Sequence, residues 1–379
     1  MTGRIGIDDV RPVVSEGRDP AKAVVGEHVP VTATVWREGH DAVGATVVWT
    51  GPDGRERSTR MREVGTGLDR FTATIVPDAV GTWSFRVDAW SDPWSTWTHA
   101  VTVKLDAGQG TDELANDLEV GARLLDSKAG SGRRKNPWRD AAAALRATDL
   151  DLDARVSLAL GEDVQRTMRE EPLRELVTEG PTRTLWVDRP RAAFGSWYEL
   201  FPRSTGGVDK KGRPRHGTLR TTAKALDRVA RMGFDVVYLP PIHPIGRINR
   251  KGKDNTLTPG PDDVGSPWAI GSTEGGHDAI HPELGTVKDF AALVRRAKAL
   301  GLEVALDLAL QAAPDHPWAT EHPEFFTVLP DGTIAYAENP PKKYQDIYPL
   351  NFDNDRDAIY AEMLRITLVW GEAGVRIFR

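Results

Sequence analysis

The chain has 379 residues, with 40% hydrophobic and 27% charged side chains and a formal net charge of −6. That length predicts two or three domains, the composition is ordinary for a soluble globular protein, and the charge balance gives no global attraction to nucleic acid or an anionic membrane. Cysteine is absent, which excludes disulfides, thiol chemistry and cysteine-based metal sites. The opening MTGRIGIDDVRPVV lacks the basic and apolar regions of a signal peptide, and no run approaches the ~20 apolar residues that span a bilayer. A cytoplasmic protein is expected.

Residues 1–106 read as an all-β, Ig-like sandwich. His28 to Trp36 (HVPVTATVW) alternates apolar and polar residues, as does most of Phe71 to Val76. Val43 to Thr50 runs into Gly51-Pro52-Asp53-Gly54, a strand ending in a turn. Thr82 to Trp90 and Trp97 to Leu105 complete the predicted set of short strands. Trp83, Trp90, Trp94 and Trp97 cluster here. Such a cluster can be a sugar-stacking platform; it is more often sandwich core or an oligomer interface.

Residues 107–181 read as a helical insertion. Leu114, Leu118, Ala122 and Leu125 recur at helical spacing, and Asp140 to Leu145 and Val164 to Val177 hold further amphipathic turns. Between them GSGRRKN (130–136) has loop composition, its basic triplet Arg133-Arg134-Lys135 reading as a solvated tip rather than a nucleic-acid patch. Thr182 to Val187, within 182–192, is strand-like and can return the chain to the sandwich.

From residue 193 the grammar is βαβα, which implies parallel strands with right-handed crossovers. Trp197 to Phe201 is a strand. Leu219 to Met232 is a helix with Gly233 past its end, and Asp235 to Leu239 a second strand. A Gly/Pro/Asp-rich excursion runs from Ile242 to Gly276. Thr286 and Asp289 then stand in capping-box position, and Phe290, Leu293, Val294, Ala297 and Leu300 share a helical face ended by Gly301. Glu303 to Leu310 is apolar enough for a strand covered on both faces, except for Asp307. Burying even a neutral polar group costs roughly 2–7 kcal/mol without a partner, so Asp307 needs a structural or functional explanation. The segment 311–354 lacks clean periodicity and is too long for an ordinary connection, so it reads as a functional loop or a small inserted domain. Asp357 to Gly371 is a third helix, and Gly374 to Arg379 (GVRIFR) begins a fourth strand. On this reading the chain is truncated within that strand, and the half-barrel exposes unpaired strand edges.

This order of elements resembles the first half of the barrel of the α-amylase superfamily. The residues that carry the likeness are His281-Pro282-Glu283-Leu284-Gly285-Thr286 with Asp289-Phe290, then Leu302 to Asp307, then Gly374-Val375-Arg376-Ile377-Phe378-Arg379. In that superfamily an arginine precedes the nucleophilic aspartate by two positions, so the resemblance places the nucleophile just beyond Arg379 and the remaining carboxylates further on. One departure is informative: where typical amylases carry an Asn-His pair after the third-strand aspartate, this chain has Gln311-Ala312. Arg250-Lys251-Gly252, Asp262 to Gly271 and Glu338 to Pro349 are similar to the cytoplasmic α-1,4-glucan:maltose-1-phosphate maltosyltransferases. That family places a β-sandwich with a helical insertion before the barrel. The implied fold is therefore multidomain, a sandwich followed by the first half of a (β/α)8 TIM barrel (193–379) with an inserted domain at 311–354.

The resemblance implies a retaining transferase that moves a maltosyl unit from α-maltose 1-phosphate to the non-reducing end of an α-1,4-glucan and releases phosphate, through a covalent enzyme ester. It implies that Lys342 and Tyr344 hold the donor phosphate, that Lys251, Gln311 and Asn339 hydrogen-bond sugar hydroxyls, and that Ser266 lines the same pocket. Ammonium, amide and phenol groups suit these tasks. Taken without the resemblance, Lys342 and Lys343 would be solvated lysines in a proline-rich loop; Lys343 stays open. Gln311 has independent support, since it leaves a strand at the rim where TIM-barrel active sites lie. Arg379 would keep the nucleophile ionised and oriented, and Asp307 reads as a structural carboxylate at the rim. No catalytic carboxylate is expected within this chain, which as given is expected to be inactive. The family also implies a homodimer, with the tryptophan-rich sandwich as its interface. His243, His277, His281 and His316 show no metal-ligand spacing, and no phosphate-binding glycine motif occurs, so neither a metal nor another cofactor is expected. Two alternatives remain: an amylase-like hydrolase or glucanotransferase, and a non-catalytic glucan-binding fragment.

Overall fold

The computed structural model describes residues 3–65, 67–129 and 137–379. The loop expected at 130–136 lies outside the described residues. The chain divides into two compact units, Met1–Phe194 and Gly195–Arg379.

In the first unit the strands are β1 (Gly6–Arg11), β2 (Ala21–Val24), β3 (Val29–Trp36), β4 (Val43–Thr50), β5 (Glu56–Arg60), β6 (Arg62–Glu63), β7 (Arg70–Ile75) and β8 (Gly81–Ser91). Five helices follow: α1 (Pro93–Asp106), α2 (Thr111–Ala129), α3 (Pro137–Arg146), α4 (Leu152–Leu160) and α5 (Glu162–Glu170). Strands β9 (Glu175–Glu179) and β10 (Arg183–Asp188) complete the unit. One sheet has the order β1-β3-β7-β6; the other runs β2-β10-β8-β4-β5, with β9 also on β8. Alternation along β3 turns Val29, Val31, Ala33 and Val35 inward. They share a core with Phe71 and Ile75 of β7, Val47 of β4, Phe85 and Val87 of β8, and Leu185 and Val187 of β10. The strand expected at Thr182 to Val187 does re-enter a sheet, as β10, parallel to β2 and antiparallel to β8.

Two sequence expectations fail here. Trp97 to Leu105 is not a strand: it lies within α1, where the Asp92 side chain accepts from the Ser95 amide (3.0 Å) and Pro93 occupies the first turn. Helical spacing of Trp94, Trp97 and Val101, which join Leu114, Leu118, Leu125, Trp138 and Leu145 in the helical core, outweighs the β-propensity of its threonines and valines. Helical character also stops at Glu170, because the segment expected to extend it to Val177 pairs with β8 as β9.

The tryptophan cluster is neither a sugar platform nor subunit interface surface. Trp83, Trp90, Trp94 and Trp97 are 1%, 0%, 3% and 4% exposed, which leaves no ring face for a ligand or partner. Trp83 stacks on Trp49 at 5.3 Å, Trp94 packs against Trp97 at 4.7 Å, and the Arg174 guanidinium lies 4.4 Å from the Trp90 ring. The Trp97 indole N–H donates to the Asp117 carbonyl at 2.6 Å.

The second unit contains β11 (Trp197–Glu199), α6 (Leu219–Arg231), β12 (Val236–Leu239), α7 (Val287–Ala299), β13 (Glu303–Leu306), β14 (Gln311–Ala312), α8 (Pro317–Glu321), β15 (Ala337–Asn339), β16 (Lys342–Tyr344), β17 (Tyr348–Pro349), α9 (Arg356–Glu372) and β18 (Ile377–Phe378). Strands β11, β12, β13 and β18 form a parallel sheet in that order. The capping box of α7 is formed by Thr286 and Asp289, and Gly301 takes the left-handed conformation (φ 75°) that ends the helix. One face of the sheet, with Val237, Leu239, Val304 and Leu306, packs with Leu226 and Val229 of α6, Phe290 and Leu293 of α7, and Ile366 and Trp370 of α9. Burying each such side chain contributes about 1.5–3 kcal/mol. The opposite face carries Val236, Tyr238 and Ala305, with Ile377 against them. Strand β13 stops at Leu306, short of the expected Leu310, because the next residue is the polar hub described below.

Candidate active site

Strands β12, β13 and β18 end at a common edge of the parallel sheet, and Asp307 stands there, immediately after β13. It is 5% exposed. Its Oδ2 accepts from the Tyr238 hydroxyl, from the Trp268 indole N–H (3.0 Å) and from Arg379 Nη1 (3.3 Å). Arg379 Nη1 also donates to the Tyr238 hydroxyl at 3.0 Å. Burial, and then the Asp307 carboxylate, push the Tyr238 phenol well above its ordinary range, so it stays a donor. The buried charge is thus satisfied by two neighbouring strands and by a side chain from the long excursion. Its chemistry is that of a bracket: every contact it makes is to a structural donor of the chain itself. Arg379 is directed at this hub by its own strand, with Arg379 N donating to the Leu306 carbonyl (2.9 Å) and Leu308 N to the Arg379 carbonyl (2.9 Å).

The excursion between β12 and α7 is fastened to the rest of the rim by sequence-predicted residues. The Gln311 side chain donates through Nε2 to the Trp268 carbonyl at 3.0 Å, so Trp268 is gripped by Gln311 at its backbone and by Asp307 at its indole. Ser266 lies two residues away, and its carbonyl accepts from the Ala269 amide (3.0 Å) in the same turn. Lys251 is 6% exposed, and its ammonium donates to Gln345 Oε1 at 2.9 Å. The Asn249 side chain donates to the Gln345 carbonyl (3.2 Å). Next to Gln345, Asp346 is 2% exposed and its Oδ1 has no hydrogen-bond partner. Burial raises the Asp346 carboxyl, with the Lys251 ammonium acting against it.

Asn339, Lys342 and Tyr344 lie on the β15–β16 hairpin, whose register pairs Asn339 with Lys342 and Ala337 with Tyr344. Because side chains alternate along a strand, Asn339, Lys342 and Tyr344 stand on one face. Lys343, paired with Glu338, belongs to the other. Lys342 and Asn339 are exposed, Tyr344 half-buried. Gln311 is held opposite Pro349 by the short β14–β17 pair, a two-stranded sheet distinct from the β15–β16 hairpin.

The histidines weighed as metal ligands have other partners. His277 Nδ1 and His316 Nε2 share a hydrogen bond (3.2 Å), His277 Nε2 meets the Ala309 carbonyl (2.8 Å), and His243 Nδ1 the Ala279 carbonyl (2.9 Å). Among the described residues no group of three potential ligands is assembled. Burial holds these rings neutral, His243 at a pKa of about 4 and His316 at about 3, despite opposing attraction from Asp278. A histidine whose folded pKa lies below the unfolded 6.5 takes its proton more readily in the unfolded chain. Stability is therefore complete above about pH 6.5 and declines as pH falls toward 4. Thermal melting between pH 7 and 5 should show a falling midpoint, and His316→Gln should flatten it. An equally steep slope in that variant would contradict the assignment.

Sequence reasoning gave no role to Tyr238, Trp268, Gln345 or Asp346. Their part depends on burial and on contacts across 69, 39 and 94 residues of chain, which no local pattern reports.

The model of domain N/S of the α-1,4-glucan:maltose-1-phosphate maltosyltransferases matches residues 3–189. The maltosyltransferase of Corynebacterium pseudotuberculosis is 60% identical over 100% of this chain and 57% of its own length. The chain belongs to the α-1,4-glucan:maltose-1-phosphate maltosyltransferase family. A maltosyltransferase of Mycolicibacterium smegmatis is 58% identical over 100% of this chain and 58% of its own length. The chain thus spans a little over half the length of the curated family members it matches. Among solved structures, an α-amylase from Lactobacillus plantarum is 31% identical over 49% of this chain and 37% of that one, with a TM-score of 0.38. Among the described residues no helix is long and apolar enough to cross a membrane.

Proposed function

We propose that the whole protein transfers a maltosyl unit from α-maltose 1-phosphate to the non-reducing end of an α-1,4-glucan, releasing phosphate by a retaining double displacement. The observation that carries this reading is 60% identity, over the full 379 residues, to a protein of that name. The architecture proposed with it is a β-sandwich interrupted by helices, followed by half of a (β/α)8 barrel with an insertion at 311–354. Two sheets with one shared core and four parallel strands in sequential order support it.

In this reading Lys342 and Tyr344 receive the donor phosphate, and their common hairpin face with Asn339 supports the grouping. A phosphate dianion gains most from charge-assisted donors. Lys343, on the opposite face, takes no part. Lys251 and Gln311 bind hydroxyls of the maltosyl unit, and Ser266 lines the pocket beside Trp268. Gln345 orients the Lys251 ammonium, and the Gln311–Trp268 bond keeps the rim closed. Arg379 serves the nucleophile by charge and orientation; its bond to Asp307 fixes its direction. The protein acts in the cytoplasm as a homodimer, whose contact surface is not the buried tryptophan cluster; light scattering of the whole protein reads the subunit number. Incubation of the whole protein with α-maltose 1-phosphate and glycogen should release phosphate while the glucan lengthens. Reducing sugar without any requirement for the phosphate donor would instead identify a hydrolase, and sugar binding without turnover a glucan-binding protein.

A further inference from the structure

A cleft of about 1350 Å³ opens in the second unit between the segment after β11 and the excursion after β12. Lys251, Ser266, Gln311, Asn339, Lys342 and Tyr344 do not line it. Its walls are rich in charge of both signs, Asp262, Asp263 and Lys253 included, and part of that charge is paired. Arg213 is matched by Asp209 (2.9 Å) and Arg247 by Glu274. Glu283 faces His216 at 3.7 Å.

Three guanidiniums on the wall, Arg203, Arg215 and Arg250, are outside these ion pairs, and Arg203 and Arg250 are the two whose geometry marks them out. Arg203 keeps Nε and Nη2 shut off from solvent with no hydrogen-bond partner. Arg250 donates to the Gly246 (2.9 Å) and Ile245 (3.1 Å) carbonyls, which orient it, and it takes part in no ion pair among the described residues. Burial lowers Arg203 to a pKa of about 10, and the Arg250 charge works in the same direction against the attraction of Glu283. The same wall holds His281, which burial and then the Arg203 charge keep neutral, at a pKa of about 4. A desolvated guanidinium whose buried nitrogens lack acceptors is costly in the free protein, and that cost falls when an anion supplies them. Two guanidiniums facing one cleft suit a doubly charged oxyanion, since each offers a planar fork of donors.

We infer that this cleft is a second anion site, taking a phosphate group, free or carried on a small molecule, with Arg203 and Arg250 as its charged donors. Binding turns the Arg203 fork from its closed position onto the oxyanion and supplies the acceptors that Nε and Nη2 lack. The site is separate from the proposed donor site and does not depend on that reading.

The test is calorimetric titration of the whole protein with inorganic phosphate and, separately, glucose 1-phosphate, for wild type, Arg203→Met, Arg250→Met and Lys342→Ala. Saturable binding of at least one probe is expected, weakened by about tenfold or more in either arginine variant, the loss expected of a charge-assisted contact, and kept in Lys342→Ala. The stronger probe identifies the source of the phosphate. Arg203→Met should also melt no lower than wild type without phosphate, because it removes an unpaired buried charge. Should Arg203→Met fail to fold, Arg250→Met carries the test. Absence of binding by both probes, affinity unchanged in the arginine variants, or loss confined to Lys342→Ala would each overturn the inference.

Discussion

Replacing Lys342 with alanine in the whole protein should lower kcat/KM for α-maltose 1-phosphate by about 100-fold, the scale seen when one charged or oxyanion-directed donor is removed. In the proposed reaction the phosphate dianion is the leaving group, so its charge grows as the glycosidic bond breaks. A positioned ammonium therefore stabilises the transition state more than the ground state. Lys343→Ala is the internal control: it lies on the other face of the same hairpin and should cost less than about threefold, as an exposed charge does. Steady-state phosphate release measures both. Equal losses in the two variants would mean that the hairpin contributes general positive charge and not a directed contact.

Asp307→Ala should destabilise the second unit by about 2–4 kcal/mol, through buried donors left without an acceptor at roughly 1–3 kcal/mol each. The donors are the Tyr238 hydroxyl and the Trp268 indole. The Arg379 ion pair adds little, because that side chain is 60% exposed and exposed pairs contribute about 0–1 kcal/mol. Asp307→Asn keeps an acceptor for both donors and should cost less. Urea denaturation followed by tryptophan fluorescence distinguishes these outcomes; a midpoint unchanged in Asp307→Ala would show that the hub does not hold the rim together.

The second unit was readable in the sequence wherever local chemistry and periodicity agree. Thr286, Asp289 and Gly301 mark both ends of α7, and the spacing of Phe290, Leu293 and Ala297 names its buried face. The first unit misled at Trp97 to Leu105, where β-branched residues suggested a strand. The helix start was written in Asp92-Pro93, a cap followed by a first-turn proline. Edge pairings such as β9 on β8 depend on partners distant in the chain, and a short polar strand has no pattern of its own. At the candidate site, the residues are named through the family likeness, while the contacts that hold them were not legible in the sequence. Lys251 is a basic residue in a glycine-flanked loop by sequence; only burial to 6% exposure and the bond to Gln345 make it a positioned group. The shared hairpin face likewise follows from register, which the proline-rich segment does not declare.

The central claim is that this rim belongs to a retaining transferase with a phosphate leaving group. One reaction followed by phosphorus and proton magnetic resonance tests it most directly, using the whole protein, α-maltose 1-phosphate and a short α-1,4-glucan. The account predicts one phosphate released for every maltosyl unit added, with each new linkage in the α configuration. Accumulation of free maltose in place of a longer glucan, or a new linkage in the β configuration, would contradict it.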